Sequence, residues 1–357
     1  MKTRLLFLFL ALVAGVLLFA AVQSGLLSAP GGSVPAPAAQ APAGAAPAAP
    51  DKVAVTILHI NDTHGHTEPY SENDRSIGGY ARLATLVQDV RASRSASPAS
   101  AKAARVLLIH AGDELSRGDE LTRETLGAAN VAIWNHLGFD IWVPGNGDYY
   151  DGLEVLQDLI RKFKGTVLAA NVRIAATGRP IAKPSVIYHV GPVRIAFFGI
   201  CHLKPLEPTT DLFRVADTTA TARQLAAELR RQADVIVAVT HHGNIADRRM
   251  AADVGGLDLI IGAHSHTVLP KGQRLKGPGG REVLIVQAGE SMAYLGRVDL
   301  ALERADGGWR IAASSASLIP IDDKVKADPA VTALVNKLFD EATPAAPPEP
   351  AVPAGTQ

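Results

Sequence analysis

Cysteine is almost absent from this 357-residue sequence, in which Cys201 is the only one. A single cysteine cannot form an intramolecular disulfide or a thiolate metal cluster, so any metal must be bound by His, Asp, Glu and Asn. An excess of charge is also lacking, because 35 basic residues balance 35 acidic ones. This balance argues against a dedicated nucleic-acid binder, which normally requires a basic surplus. Aromatic residues make up only 5%, yet the 47% hydrophobic content is typical of a globular protein.

The two ends of the chain differ in composition from its middle. A short basic start precedes an uncharged apolar run over residues 5–22, which is typical of a secretory signal. Because this run is also close to the minimum for crossing a bilayer, residues 1–28 are predicted to be either a signal peptide or an N-terminal membrane anchor. The Ala/Pro-rich residues 29–50 are predicted to form an extended linker, and residues 343–357 a disordered tail. Either alternative predicts a periplasmic or extracellular protein, with a membrane tether in the second case.

The middle of the chain, residues 51–342, is predicted to be one mixed α/β domain, because short apolar runs alternate with amphipathic stretches. The predicted strands are 53–60, 105–110, 141–143, 166–170, 193–199, 235–240, 257–261, 283–287, 296–302 and 309–314. The predicted helices are 79–93, 124–137, 153–163, 218–232 and 331–341. Early strands separated by helices are typical of parallel βαβ units, whereas the strands after Val283 follow one another and are expected to be antiparallel.

Side chains of the metal-binding type follow five of the predicted strands. They are Asp62, His64, Asp113, Asn146, His241, His264 and His266. In an open α/β sheet, ligands bind in the crevice beyond the carboxyl ends of the strands, so these residues are expected to converge. Three oxygen-type side chains and four imidazoles suit two divalent ions that share one carboxylate, such as Mn²⁺, Zn²⁺ or Fe. Two such ions can hold the oxygens of a tetrahedral ester and activate a water molecule.

Seven stretches, in order along the chain, resemble the catalytic domain of the 5′-nucleotidase branch of the calcineurin-like metallophosphoesterases. They are ILHINDTHGH (57–66), IGGYARLATLV (77–87), HAGDELSRG (110–118), LGFDIWVPGNGDYYDGLE (137–154), VTHHG (239–243), LDLIIGAHSHT (257–267) and VQAGESMAYLGRVDLAL (286–302). The resemblance implies a four-layer αββα sandwich with a dinuclear metal site at one edge. It also implies that the substrate is a small phosphorylated molecule.

The resemblance assigns a role to each predicted ligand. Asp62, His64 and His266 match the ligands of the first metal, Asn146, His241 and His264 match those of the second, and Asp113 matches the bridging carboxylate. His242, beside a ligand, and Asn146 are in addition candidate substrate contacts.

One stretch departs from the family pattern. Where the family usually reads Gly-Asn-His-Glu-Phe-Asp, residues 145–150 read Gly-Asn-Gly-Asp-Tyr-Tyr, so the His that contacts the phosphate and the Asp that orients it are both replaced. Loss of a general acid typically costs about a hundredfold to ten-thousandfold in rate, and most for poor leaving groups. The candidate catalytic substitutes are Asp148, Asp151, Tyr149 and Tyr150, and the tyrosines could equally line a substrate slot or pack at a helix start.

The function therefore has a leading hypothesis and two alternatives. The leading hypothesis is an exported two-metal hydrolase of phosphate esters or anhydrides. The base-binding domain of two-domain nucleotidases is expected to be missing, so nucleotide specificity is not implied. The alternatives are a non-catalytic metal-binding protein of the cell envelope, and a periplasmic enzyme that removes a sulfur-oxyanion group from a carrier protein.

Overall fold

The computed structural model describes residues 51–72, 74–95, 105–115, 117–305 and 307–343. The predicted signal or anchor (1–28), the predicted linker (29–50) and all of the predicted tail beyond residue 343 lie outside the described residues. Among the helices in the described ranges, none is long and apolar enough to cross a membrane.

The described part of the chain contains sixteen strands, most of which belong to two six-stranded sheets. In chain order they are β1 (Lys52–Ile60), β2 (Tyr70–Glu72), β3 (Arg75–Ile77), β4 (Arg105–His110), β5 (Ile141–Trp142), β6 (Thr166–Val167), β7 (Val172–Ile174), β8 (Ser185–Val190), β9 (Val193–Cys201), β10 (Phe213–Val215), β11 (Val235–His241), β12 (Leu259–Ile261), β13 (Gln273–Lys276), β14 (Glu282–Val286), β15 (Tyr294–Ala305) and β16 (Gly308–Pro320). The first sheet has the order β16-β15-β1-β4-β5-β6, and the second has the order β13-β14-β12-β11-β9-β8.

Seven α-helices are described in the same ranges, and several begin at side-chain caps. They are α1 (Tyr80–Ser95), α2 (Glu120–Glu124), α3 (Ala128–Leu137), α4 (Leu153–Lys162), α5 (Thr218–Leu229), α6 (Asn244–Asp253) and α7 (Pro329–Ala342). Asp217 accepts a hydrogen bond from the Ala220 backbone N–H at the start of α5, and Asp328 caps α7 in the same way. Such caps satisfy backbone donors that have no partner within the helix.

The strands at the centre of both sheets are buried on both faces, and their alternating side chains enter different cores. Val55 and Ile57 of β1 pack between the two sheets, together with Val237 of β11. Leu58 of β1 faces the other way, into the core formed with α1, α3, α4 and α7. Ile236 of β11 packs under α5 and α6. Because successive side chains point to opposite faces, this alternation produces four layers, and the expected αββα sandwich is confirmed.

The strands and helices predicted from the sequence are present, with shifted ends, but their pairing differs in one respect. β15 and β16 are antiparallel as predicted, whereas the strand after Val283, β14, runs parallel to β12 in the other sheet. The predicted helix 124–137 is also interrupted, because Leu126 and Gly127 adopt left-handed backbone angles and separate α2 from α3. Six short or edge strands were not predicted, and neither was α6; the strands are β2, β3, β7, β8, β10 and β13.

His59 makes stability depend on pH. Its imidazole is buried between the sheets over Gly296, and burial lowers its pKa from the ordinary 6.5 to about 3. The unfolded chain therefore takes up a proton below pH 6.5 that the folded chain does not accept until about pH 3, so stability falls as pH drops through this window. The expected loss is about 1.4 kcal/mol per pH unit. His59→Leu should remove this component from the slope measured by urea unfolding between pH 7 and 5.

The matched control is His189→Leu, which alters an exposed histidine on β8. Equal slopes for the parent and His59→Leu would contradict the assignment.

Candidate metal centre

The parallel strands of both sheets end at the same edge of the sandwich, and hydrogen bonds hold the following loops together. The Asp62 backbone N–H donates to the Gly112 carbonyl at 2.8 Å, which joins the loops after β1 and β4. The His264 backbone N–H, after β12, donates to the Asp62 carboxylate at 2.9 Å. The His241 ring donates through Nδ1 to the Ala111 carbonyl at 2.9 Å. These last two bonds join the first sheet to the second.

Six of the seven predicted ligands form two groups in which the ligand atoms lie within 4.8 Å of one another. The first group is Asp62, His64 and His266, and the second is Asp113, His241 and His264. In the first group, the Nε2 atoms of His64 and His266 are 3.2 Å apart, and the latter is 3.4 Å from Asp62 Oδ1. In the second group, His241 Nε2 is 3.3 Å from Asp113 Oδ1. The sequence-based expectation of convergence therefore agrees with the geometry for these six residues.

Five of these ligands have a left-handed backbone, which few residues other than glycine adopt. They are Asp62, His64, Asp113, His264 and His266, with φ between 49° and 74°. This conformation turns the chain sharply where each strand ends. A non-glycine residue held there costs about 1 to 3 kcal/mol. The surrounding hydrogen bonds must therefore stabilise the turns, and strain concentrated in one cluster is typical of functional sites.

The ring orientations of two histidines turn Nε2 toward the carboxylates of the two groups. His241 uses Nδ1 to donate to a backbone carbonyl, and His266 uses Nδ1 at 2.9 Å from the Glu290 carboxylate. In a neutral ring, a donating Nδ1 leaves the lone pair on Nε2. His241 Nε2 and Asn146 Oδ1 are both buried and have no hydrogen-bond partner among the described residues. Buried polar atoms without partners are unfavourable, so nitrogen and oxygen donors in this arrangement fit divalent cations.

The electrostatics of the centre favour positive charge between the two acids. Burial alone would favour neutral Asp113, but the neighbouring His241 outweighs it and holds the pKa of Asp113 well below its ordinary value. Burial likewise opposes charge on His241, yet Asp113 and Asp62 raise the pKa of His241 to about 10. Burial lowers the pKa of His264 to about 4. The two carboxylates thus act as anions that require a cationic partner.

Asn146, the seventh predicted ligand, begins the short turn that follows β5. The adjacent Gly147 backbone N–H donates to Asp113 Oδ1 at 2.7 Å, which brings the turn to the second group. The Asn146 side chain donates through Nδ2 to the Tyr150 hydroxyl at 2.7 Å. Partial burial, together with the nearby Glu207, raises the pKa of Tyr150. Tyr150 is therefore at the rim of the centre, in contact with a predicted ligand.

Asp148 and Tyr149 do not fit the catalytic role predicted for them. The Asp148 carboxylate is buried and accepts from four backbone N–H groups, those of Asp113, Glu114, Leu115 and Gly145, at 2.8 to 3.0 Å. It holds two loops together, and burial raises its pKa to about 6. Tyr149 has no exposed surface and packs edge-on against Phe213. Neither side chain is open to a substrate, a property that the sequence pattern could not indicate.

His242 does not fit the predicted substrate contact either. Its side chain is only 3% exposed, and its Nε2 lies 2.8 Å from an oxygen of the buried Asp247. The same oxygen accepts a hydrogen bond from the Thr240 hydroxyl. His242 therefore belongs to a buried network behind its neighbour His241.

Residues that the sequence analysis did not single out orient the predicted ligands. The Asn61 side chain donates at 2.7 Å both to Asp62 Oδ2 and to the Gly289 carbonyl. Gln287 donates to the Ala263 carbonyl at 2.8 Å and supports the loop between β12 and His266. Asn61, Gln287 and Glu290 all lie within the stretches that carry the family resemblance, which is the signal that could have identified them.

The fold and this site define an αββα protein with two candidate metal-binding groups at the strand ends. Residues 55–268, more than half of the chain, match the family model of the calcineurin-like phosphoesterases. The chain therefore belongs to the calcineurin-like phosphoesterase family.

Among known proteins, a probable 5′-nucleotidase of Treponema pallidum is 28% identical over 279 residues, which are 70% of this chain and 45% of that protein. The 5′-nucleotidase precursor of Thermus thermophilus superposes with a TM-score of 0.70 at 23% identity, over 81% of this chain and 59% of that one. The sulfate thiohydrolase SoxB of Thermus thermophilus gives a TM-score of 0.68 at 21% identity, over 80% and 60% of the chains. The chain spans about half the length of the curated relatives it matches.

Replacing Asp113 should remove metal binding without unfolding the protein. Asparagine tolerates the left-handed backbone but lacks the charge shared by the two groups. In the parent, Mn²⁺ or Zn²⁺ at about 100 times its dissociation constant should stabilise the fold by about 2.7 kcal/mol and raise the melting temperature. Asp113→Asn should lose most of this increase, whereas Asp323→Asn, an exposed control, should keep it. An Asp113→Asn protein that is stabilised as strongly as the parent would contradict the role of this carboxylate.

Replacing Asp148 should instead reduce stability with or without metal. Asp148→Ala leaves four backbone N–H donors without their acceptor, and each buried unsatisfied donor costs about 1 to 3 kcal/mol. We expect a loss of at least about 3 kcal/mol in urea unfolding of the metal-free protein. Asp151→Ala, at an exposed position in the same turn, should change stability little. Parental stability of Asp148→Ala would show that the loops do not depend on this carboxylate.

Proposed function

We propose that this protein is a metal-dependent phosphoesterase that hydrolyses a phosphate ester or anhydride of a small molecule. The observation that carries the proposal is the pair of ligand groups at one edge, where His241 Nε2 lies 3.3 Å from Asp113 Oδ1 and Asn146 Oδ1 is buried without a hydrogen-bond partner. A protein that bound no metal would have no need to maintain five strained ligand positions around two buried carboxylates. The relatives in the comparison are named as 5′-nucleotidases, which supports a reaction on a phosphate group.

Seven side chains would hold two divalent ions, such as Mn²⁺, Zn²⁺ or Fe. Asp62, His64 and His266 would hold the first, Asn146, His241 and His264 the second, and Asp113 both. The chemistry that two such ions supply is neutralisation of the phosphoryl charge and a lowered pKa for water. Asn61, Glu290 and the Ala111 carbonyl keep the ligands in the required orientation.

The proposed substrate is a small phosphorylated molecule, nucleotide-like or otherwise, with a good leaving group. Gly147 has no side chain that could protonate a leaving oxygen, and Asp148 is fully engaged with backbone N–H groups. Without a proton donor, esters of acidic alcohols and phosphoanhydrides should react faster than esters of ordinary alcohols. This chain should therefore favour substrates whose leaving group does not need a proton.

We propose further that the catalytic domain comprises residues 51–342 and acts outside the cytoplasm. The basic start and apolar run of residues 1–28 support export, whether this segment is cleaved or retained as an anchor. If the segment is retained, residues 29–50 would separate the domain from the membrane; in either case residues 343–357 would form a tail.

The proposal is tested on the full chain supplied with Mn²⁺ or Zn²⁺. We expect turnover of 4-nitrophenyl phosphate and of a nucleoside diphosphate compound, and loss of both activities with a chelator or in Asp113→Asn. A protein that binds two ions but hydrolyses none of these compounds would contradict the proposal and favour the non-catalytic alternative. Cleavage of a thiosulfonate-type conjugate without cleavage of phosphate would favour the sulfur-oxyanion alternative.

Restoring a histidine at position 147 should broaden the range of leaving groups. Gly147 is not among the residues with a left-handed backbone, so its conformation accepts a side chain. We expect Gly147→His to raise kcat/KM for a nucleoside monophosphate about 10- to 1000-fold, and to change that for 4-nitrophenyl phosphate much less. Gly147→Ala is the control for filling the space alone. Equal gains on both substrates, or a gain with alanine, would contradict the explanation.

A further inference from the structure

A carboxamide ligand such as Asn146 can bind a cation only through its oxygen. The surrounding protein must therefore hold the amide with the oxygen, and not the NH₂ group, toward the cation. The side chain has one acceptor atom and one NH₂ donor group of nearly equal shape. If the group rotated by half a turn, the NH₂ would face the cation and the ligand would be lost. The protein therefore needs a neighbour that accepts only one of the two orientations.

Glu207 is the neighbour that favours one orientation of the Asn146 amide. Asn146 Nδ2 lies 3.4 Å from Glu207 Oε1, and a carboxylate can accept hydrogen bonds but cannot donate them. The Tyr150 hydroxyl, at 2.7 Å from the same nitrogen, could serve either end of the amide, since a hydroxyl both donates and accepts. With the NH₂ group bound to both residues, the oxygen Oδ1 is left buried without a hydrogen-bond partner, in the turn that the Gly147 N–H joins to Asp113 of the second ligand group.

The loop that carries Glu207 is built to hold the carboxylate in place. Its second oxygen accepts from the Lys204 backbone N–H at 2.9 Å, within the same loop after β9. The Thr209 hydroxyl donates to the Tyr149 carbonyl, which ties the loop to the turn of Asn146. Glu207 lies in none of the stretches that carry the family resemblance.

We propose that Glu207, together with Tyr150, is a positioning residue that orients the Asn146 carboxamide with its oxygen toward the second metal ion. Tyr150 occupies the position at which the family usually has the Asp that orients the missing His. Here its hydroxyl supports a metal ligand instead of a proton donor. The inference rests on the two-ion centre proposed above.

The test uses the full chain and Co²⁺, whose visible absorption reports on its ligands. Binding of each ion is measured by competition with a chelator. We expect Glu207→Ala to weaken one of the two ions about 10- to 100-fold, leave the other unchanged and alter the absorption spectrum. Glu207→Gln should restore only part of the affinity, because its amide oxygen can accept the same hydrogen bond but its NH₂ group can also donate to a rotated Asn146 carboxamide. Tyr150→Phe should weaken the same ion as Glu207→Ala.

Matched controls are Glu228→Ala, on an exposed face of α5, and Tyr188→Phe, whose hydroxyl donates to the distant Asp140 carbonyl. Melting temperatures without metal verify that each variant folds. Parental affinities and spectrum in Glu207→Ala would overturn the inference, as would a parent that binds fewer than two ions. A Tyr150→Phe variant that binds both ions with parental affinity, but has a lower kcat for substrates with poor leaving groups, would also overturn the inference. Tyr150 would then have a direct role in catalysis. Two ions bound without turnover in the parent would refute the proposed function alone.

Discussion

The contact between His241 and two buried carboxylates is the interaction on which the rest of the site depends. Its Nε2 lies 3.3 Å from Asp113 and 3.8 Å from Asp62, in a region from which solvent is excluded. Two anions at this depth repel each other and lose hydration, so they are stable together only if positive charge is close. The fold meets this requirement by bringing loops from both sheets to one edge, where imidazoles and, in the proposed function, metal ions supply the charge.

Keeping the acids together also explains why the backbone around them is strained. Five ligands adopt left-handed angles, and none of these turns would persist in isolation. They persist because buried side chains such as Asp148 and Asn61 bind the backbone or the ligand itself. The stability of the sandwich thus supports a geometry that a flexible loop would not maintain.

Local patterns in the sequence were sufficient to predict a mixed α/β domain and the convergence of six of the ligands, whereas the four layers were expected from the family resemblance. Alternating apolar runs mark strands buried on two faces, and polar residues at their ends mark the edge of the sheet. The sequence did not predict the parallel pairing of β14 with β12, because the partner of a strand depends on contacts between distant segments. The sequence also could not show that Asp148 and Tyr150 have different roles. Both are polar residues in one turn, and only the packing of the folded protein shows that Asp148 binds backbone N–H groups and that Tyr150 lies at the rim of the centre.

The pairing of β1 with β15 has a consequence for the order of events during biosynthesis. Lys52 is opposite Glu303, so the first strand of the sandwich gains its second neighbour only after nearly the whole domain has been made. Contacts of such long range form late in folding. The candidate ligands at positions 62 and 266 are therefore held together by the complete sandwich only after most of the domain has been made. If the chain binds metal as proposed, loading would follow folding, and the ions present where folding finishes would determine which metal the protein acquires.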